Sequence, residues 1–596
     1  MLQDILHAGF AGIKRSWGDN ISSLKLRYQQ MVEHDQPSRP SLFSRSRYDR
    51  AGDLGIQQLY AHQLTATHQS ERENRLFLAG ITSSETIARL MSQHDPQSLL
   101  TEQKLFCEDR LHDLAGCWVS EEKVVLFKTE TSNETPFYRR HGESLSWSTN
   151  PSDLVEPGDA LDSAALTACC RGDDAFVYHH LSWVRAGTAV VLTPHSEQVF
   201  PLSKPTAAPV PHCITLEDWA ALTHDTLLDA LRPLVRLGQK IGVLLSGGID
   251  SAALAAALAE LGTDVVAYHI EFEHPSASEA YFAQAVCDAL QIPLHTVVGS
   301  TGADYLTLSS YNAAPHPYGH PALRWFEQIA QKLASDQVHV LVTGRYGDVT
   351  FGPRESYVLG QILRDPVPLR DKGTVLLHTL STNWFLSDIF RSIFASHSLI
   401  STRTLTTSGQ TPQTHARQAD FLIDCDLEKM KTIECCSDFA SETTLDFSPQ
   451  DLAVESIWRQ YQVRAVHPYR EPAIQAFAAH LPDSYRLIPY QGQKIQKPAL
   501  RLAFAHRLPA AIVQRCRGMW PNAVGQQFCL SQKDLLAELL GKPETILARQ
   551  GIIDQQKLFV VLSQDRFIRA NYHTLIATAM VERFLQTYQK EGVRIG

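Results

Sequence analysis

A short apolar strand runs into a six-residue loop and straight on into a helix, and this junction constrains the chain more than any other feature. Gly242-Val243-Leu244-Leu245 leads into Ser246-Gly247-Gly248-Ile249-Asp250-Ser251, and an alanine-rich apolar helix follows from Ala252 to Leu261. Adjacent glycines let the backbone turn tightly and let a phosphate approach without meeting a Cβ. The helix start offers unpaired N–H groups and the positive end of the helix dipole, a natural anion site. Ser246 and Ser251 add hydroxyl donors. Asp250 would repel a phosphate on its own and makes sense as a ligand of a bridging Mg²⁺. A lone Gly-Gly is usually only a turn; the complete hexapeptide between strand and helix reads as a phosphate loop. It is not a Walker A loop, because no G-x-x-x-x-G-K-[ST] is present.

The segments around the loop repeat its strand–helix order. Leu216 to Leu237 has helical spacing, and Ile241 to Leu245 is an apolar strand. Val265 to Ile270 is a second strand, Tyr281 to Leu290 a helix and Leu294 to Val298 a third strand. Such alternation predicts a doubly wound parallel sheet. Residues 1 to about 200 read differently. They hold β-like runs at Leu76-Phe77-Leu78, Val124 to Phe127, Ser144 to Ser148 and Thr188 to Leu192, which predict a mostly β or mixed domain. Pro201 to Pro211, with four prolines in eleven residues, reads as a linker. With 596 residues, two cores are expected, and the boundaries predicted are 1–205 and 212–596. Ser381 to Leu452 has no clear period, and helices are expected after it, through to Leu585.

A net charge of −10 lowers the expectation of a nucleic-acid partner. No apolar run is long enough to span a bilayer. The N-terminal residues lack the pattern of a secretory signal. The eleven cysteines are scattered without a C-x-x-C, as in a cytoplasmic protein that keeps them reduced.

The hexapeptide matches the S-G-G-x-D-S signature of the ATP pyrophosphatase superfamily, whose members cleave ATP between the α and β phosphates. Later segments resemble the asparagine synthetase family, in the same order. Val340-Leu341-Val342-Thr343-Gly344-Arg345-Tyr346-Gly347-Asp348-Val349-Thr350-Phe351-Gly352 is similar to that family's second metal-binding loop. His467 to Glu471 stands at its "PFLD"-like turn, Lys497-Pro498-Ala499-Leu500-Arg501 at its "KxxLR", and Leu508-Pro509 through Arg515 to Gly518 at a further motif. In the first domain, Leu114 to Trp118, Thr135 to Tyr138 and His180 to Thr188 resemble the family's glutaminase domain. The resemblance implies an α/β protein, with a degenerate glutaminase-like domain of the Ntn-type αββα class ahead of a doubly wound synthetase domain with a helical C-terminus. It implies ATP bound by Leu244, Ser246, Gly247, Gly248, Asp250, Ser251, Gly344 and Gly347, with Mg²⁺ on Asp250 and Asp348. Lys497 and Asp348 are the implied catalytic residues, Lys497 stabilising the charge transferred from the phosphates.

The departures narrow the expectation. The family's glutaminase uses an N-terminal cysteine, whereas position 2 is Leu2 and no cysteine precedes Cys107, so glutamine hydrolysis is not expected. Val349 replaces the family's Glu after Asp348, and Arg345 and Tyr346 replace small or acidic residues. These features most resemble the cyclases that close the isopeptide ring of lasso peptides. They imply a precursor-peptide substrate, accompanied by a leader-peptide protease and a leader-binding protein. Ammonia-dependent asparagine synthesis, β-lactam synthesis, tRNA modification by a lysidine synthetase-like enzyme and a non-enzymatic scaffold remain open. β-Lactam synthetases place a tyrosine near this aspartate, but Tyr346 stands one position away and is not assigned that role. His316 and His320, separated by proline and glycine, read as a turn or a substrate-lining loop rather than a metal pair.

Overall fold

The computed structural model of the chain describes residues 67–69, 75–81, 113–119, 421–423 and, with short gaps, 123–202, 215–299, 316–373 and 448–595. Most of 381–452, His320 and the linker from 203 to 211 lie outside the described residues; Pro201 itself ends a strand.

The first part contains β1 (Thr67–Gln69), β2 (Arg75–Ile81), β3 (Asp113–Val119), β4 (Val124–Lys128), β5 (Phe137–His141), β6 (Ser144–Ser148), β7 (Ala160–Leu161), α1 (Ser163–Arg171), β8 (Ser182–Trp183), β9 (Thr188–Leu192) and β10 (Glu197–Pro201). A six-stranded antiparallel sheet runs β1-β2-β3-β4-β9-β10, and a three-stranded one runs β6-β5-β8. Cys117, Val124 and Leu126 of the larger sheet share one buried cluster with Tyr138 and Leu145 of the smaller, so the sheets pack face to face. α1 covers the other side of β5 through Phe137, Leu166 and Cys170. It starts at Asp162, whose Oδ1 accepts from the N–H groups of Ala164 and Ala165. Of an αββα arrangement the described residues thus contain two sheets and the α1 layer; residues 82–112 lie outside them.

The second part is built on a five-stranded parallel sheet. Its elements are α2 (Leu216–Val235), β11 (Ile241–Leu244), α3 (Ile249–Glu260), β12 (Val265–Glu271), α4 (Ala280–Leu290), β13 (Leu294–Val298), α5 (Leu323–Ser335), β14 (Val340–Thr343), α6 (Gly347–Phe351), α7 (Pro449–Gln460) and β15 (Arg464–Val466). The strand order is β13-β12-β11-β14-β15, so the chain winds outward from β11 on one side and from β14 on the other. The loops after β11 and β14 diverge at this reversal, where open α/β sheets bind ligands. α3 begins at Ile249 and not at Ala252, because Gly248 holds the extended conformation of an N-cap. Asp250 and Ser251 therefore lie in the helix's first turn. Ala252 to Leu258 are wholly inaccessible, which explains an apolar run with no polar face: sheet and helices cover α3 all round.

After β15 follow α8 (Pro472–Ala479), the hairpin β16 (Leu487–Tyr490) and β17 (Gln493–Gln496), and α9 (Pro498–Ala503). The helical C-terminal part comprises α10 (Ala510–Val513), α11 (Asn522–Ser531), α12 (Lys533–Leu540), α13 (Ile546–Arg549), α14 (Gln555–Leu562) and α15 (Asp565–Gln589), ending in β18 (Arg594–Ile595). α15 returns to the first part. Tyr588 meets Ser152 Oγ at 2.7 Å and β18 pairs with β7. Among the described residues no helix is long and apolar enough to cross a membrane.

The two parts are also joined by buried charge. Glu134, 1% exposed, accepts from Arg464 at 3.0 Å and lies 2.9 Å from Arg459, while Asn133 donates to the Ala465 carbonyl at 2.8 Å. Burial alone would raise the Glu134 carboxyl, but Arg459 and Arg464 outweigh it and hold it below the usual range. We therefore expect Glu134→Ala, which leaves two buried guanidinium groups without this partner, to lose about 3–5 kcal/mol in a denaturant titration. The stabilisation from Glu134 is complete above the ordinary carboxylate range and disappears as pH falls through its lowered folded value. The variant should lack that acid limb.

Candidate active site

The residues singled out in the sequence lie at the carboxyl ends of β11 and β14. Gly247, at φ +81°, makes the turn out of β11, and a Cβ there would sit 3.0 Å from Phe282 and 3.3 Å from the Glu279 carbonyl. The loop is held by its own hydroxyls. Ser251 Oγ accepts from Ser246 N at 3.2 Å, and Ser246 Oγ accepts from Gly248 N at 3.3 Å. No side chain caps the start of α3, which leaves its N-terminus the anion site that the sequence implies. Leu244, half-buried at the end of β11, leads into it.

The loop after β14 packs directly on this turn. A Cβ on Gly344 would lie 2.8 Å from Ser251 N, and one on Gly347 would lie 2.5 Å from Asp250 Cγ. Only glycine permits that approach. Asp348 follows in the first turn of α6, with its side chain 87% exposed. Lys497 arrives from the far side, at the end of β17. Its Nζ lies 2.5 Å from Asp250 Oδ2 and 2.5 Å from Asp348 Oδ1, although Lys497 is only 3% exposed. Lys497 takes a left-handed backbone, φ 57°, immediately before Pro498, a cost of order 1 kcal/mol imposed where the ammonium must be aimed.

Electrostatics favour a cation here. Burial raises the Asp250 carboxyl above its usual range, opposed by Lys497 and reinforced by Asp348. Its buried Oδ1 has no hydrogen-bond partner. Two converging carboxylates, one with an unused oxygen, suit a hard cation such as Mg²⁺, and the Lys497 ammonium already lies between them. The residues fit Mg²⁺ and a polyphosphate together.

Further residues hold this arrangement. Tyr469 donates to the Asp250 carbonyl at 2.9 Å. Arg515 donates to the Gly247 carbonyl at 2.9 Å, pairs with the buried Glu279 and stacks 3.8 Å over Phe282. Arg486, 1% exposed, donates to the carbonyls of Thr350 at 2.8 Å, Gly352 at 3.1 Å and Leu481 at 3.3 Å, and also to that of Ala478. It thereby ties the end of α6 to the end of α8. Tyr469 and Arg515 lie in motifs of the family resemblance; no local pattern marks Arg486.

Tyr346, at φ 68°, donates to Asp451 Oδ2 at 3.0 Å and lies between the Arg345 and Arg470 guanidiniums. Burial first, and then Asp451, push its hydroxyl up to about 12, so it stays protonated at neutral pH and is not assigned as a base. Behind it, His467 Nδ1 meets Thr343 Oγ1 at 2.7 Å, and its Nε2 lies 3.7 Å from Glu455. Burial pushes the Glu455 carboxyl up to about 8, although Arg464 and Arg459 work to lower it. His316 is buried against Phe176 rather than exposed, with Nδ1 2.8 Å from the Pro317 carbonyl.

The family model of asparagine synthase matches residues 222–592. A tRNA(Ile)-lysidine synthase of Porphyromonas gingivalis is 34% identical over 115 residues, 18% of this chain and 24% of that protein. The microcin J25-processing protein McjC of Escherichia coli is 29% identical over 143 residues, 23% of this chain and 27% of that protein. The chain thus spans about a quarter of the length of these curated relatives. Among solved structures, the allosteric regulatory enzyme of purine biosynthesis aligns with 40% of this chain and 63% of that one, at 8% identity and a TM-score of 0.16.

Gly347→Ala should push the Asp250 carboxylate off its position. We expect about 100-fold slower ATP turnover and a stability loss of about 1–3 kcal/mol, read by nucleotide chromatography and denaturant titration. Glu455→Gln tests the buried acid. A raised carboxyl stabilises the fold below its unfolded value of about 4.3, and that contribution is lost as pH rises toward about 8. The glutamine variant should flatten the stability profile across that window.

Proposed function

The chain belongs to the asparagine synthase family, and from that premise we propose that it is an ATP-dependent, amide-forming synthetase acting on a peptide. It adenylates an Asp or Glu side chain of a bound precursor and closes a macrolactam with the peptide's N-terminal amine. The observation that carries this reading is the convergence of Asp250, Asp348 and Lys497 beside the Ser246–Ser251 turn. The altered loop Gly344-Arg345-Tyr346-Gly347-Asp348-Val349 and the partial likeness to a microcin-processing protein support the peptide substrate.

A carboxylate is a poor electrophile because it carries negative charge and no good leaving group. In the first step its oxygen attacks the α-phosphorus of ATP, the bond to the β-phosphate bridge breaks, and pyrophosphate leaves with that electron pair. Ser246, Ser251 and the N–H groups of the turn hold the departing phosphates, and Lys497 stabilises their growing charge. Mg²⁺ would be held by Asp250 and Asp348 and would supply charge neutralisation of the pyrophosphate. In the second step the amine attacks the acyl carbon, the acyl–phosphate bond breaks and AMP leaves. The nitrogen loses a proton to become the amide. Holding the folded peptide with amine beside acyl group supplies the remaining advantage as effective molarity.

The competing reading is ATP-dependent modification of a tRNA, favoured by the 115-residue likeness to a lysidine synthase; the chain's charge of −10 opposes it. One assay separates them. The full chain is incubated with ATP, Mg²⁺ and a peptide bearing a free N-terminal amine and an internal Asp or Glu, and products are read by mass spectrometry. Loss of one water from the peptide, with equal AMP and pyrophosphate, is the expected result, and Lys497→Met should slow it at least about 100-fold without altering the fold. AMP formation that requires aspartate and ammonia, or tRNA, and leaves the peptide unchanged overturns the proposal.

A further inference from the structure

At the other end of the phosphate-loop helix, away from the candidate active site, His224, Glu260 and His506 converge. His224 lies on α2, Glu260 is the last residue of α3 and His506 stands in the turn after α9. Their donor atoms all lie within 4.8 Å of one another. Glu260 is ten residues beyond Asp250, about 15 Å along the helix at 1.5 Å per residue, so this cluster is separate from the carboxylates described above.

We propose that His224, Glu260 and His506 form a binding site for a divalent transition-metal ion of the zinc class. The distances suit one. Two donors each about 2.1 Å from a tetrahedral ion stand about 3.4 Å apart. His224 Nε2 lies 3.1 Å from Glu260 Oε1, and His506 Nε2 lies 3.5 Å from Glu260 Oε2. The imidazole of His224 is also set up from behind. Its Nδ1 lies 3.1 Å from Asp225 Oδ1, so an Nδ1–H can donate there and leave Nε2 for an ion beside Glu260, as in a metal-bound histidine. Phe504 packs against the ring with centroids 5.3 Å apart and limits its rotation.

A lone pair facing a carboxylate oxygen at 3.1 Å needs a positive charge between them. A proton fills that gap for His224 alone; a metal ion fills it for His224 and His506 together. The C-terminal end of α3 adds its negative dipole, which also favours a cation. His506 is 55% exposed, and on binding an ion it would close the remaining distance by a side-chain rotation. An ion there would clasp α2, α3 and the segment that follows Lys497, so it would act on stability rather than on the chemical step.

The test uses the metal-free full chain and adds Zn²⁺, or Co²⁺ as a spectroscopic probe, followed by calorimetry and visible absorption. We expect one ion bound above background, an intense tetrahedral-type Co²⁺ spectrum and a higher melting temperature with Zn²⁺. Affinity should fall at least tenfold in His506→Ala and in Glu260→Gln, fall severalfold in Asp225→Asn, weaken as pH drops and stay unchanged in Asp250→Asn. His506 is mostly exposed, so a circular dichroism spectrum matching the parent accompanies that comparison. Equal uptake by the parent and a His506→Ala/Glu260→Gln double variant overturns the proposal, as does a thiolate charge-transfer band that assigns the ion to cysteine. Absence of uptake at neutral pH, with His224 titrating as an imidazolium between Asp225 and Glu260, also overturns it.

Discussion

A single ammonium group, Lys497 Nζ, is clasped by carboxylates 247 and 149 residues away in the chain, and the surrounding elements are arranged around that clasp. In a site where burial alone raises the Asp250 carboxyl, two acids can share one pocket only with positive charge between them. The lysine supplies it when no metal does. Its own burial is tolerable for the same reason, since a cation out of water is costly unless paired. Removing any one of the three leaves the others opposed or unpaired, so the trio acts as a unit.

The sheet makes this meeting possible. Parallel strands place the turns after β11 and β14 on the same edge, and the reversal of winding between them opens a crevice there. Asp250 comes from one turn and Asp348 from the other, with Gly344 and Gly347 letting the two backbones touch. Lys497 comes from outside the sheet, and its left-handed backbone is imposed by the surrounding packing. Its N–H donates to the Arg486 carbonyl at 2.8 Å, and Arg486 in turn is fixed on the carbonyls that end α6 and α8. Thus the element carrying Asp348 and Lys497 itself are anchored on one residue, the first on the buried Arg486 guanidinium and the second on the Arg486 carbonyl.

What could be read from the sequence and what could not divide along physical lines. β11 to β13 are short apolar runs and the helices between them carry 3.6-residue spacing, and the structure holds them close to where that spacing indicated, the start of α3 excepted. The turn Ser246 to Ser251 was legible because Gly, Ser and Asp at fixed offsets serve one local geometry. Arg486 and Glu134 were not, because each acts through partners far away in the chain, such as Arg464 across 330 residues, and no window of sequence contains both ends. The start of α3 was misjudged by one turn for a related reason. Asp250 and Ser251 read locally as loop residues, yet their side chains serve the site and the apolar burial from Ile249 onward continues the helix.

The first part of the chain bears on the same site. Glu134 neutralises Arg464 of β15 and Arg459 on α7, and Arg470 reaches back to the Glu130 carbonyl and Asn133. Arg470 also lies against the Tyr346 ring, and α7 carries Asp451, which binds Tyr346 and Arg345. A short segment of the first part of the chain, residues 130 to 134, therefore sets the charge balance behind the loop that presents Asp348. Without it, Arg459 and Arg464 would be left facing one another beside Glu455 in low dielectric, and α7 would have reason to move. That segment lies between β4 and β5, so the sheets of the first part position the charges that back the site in the second.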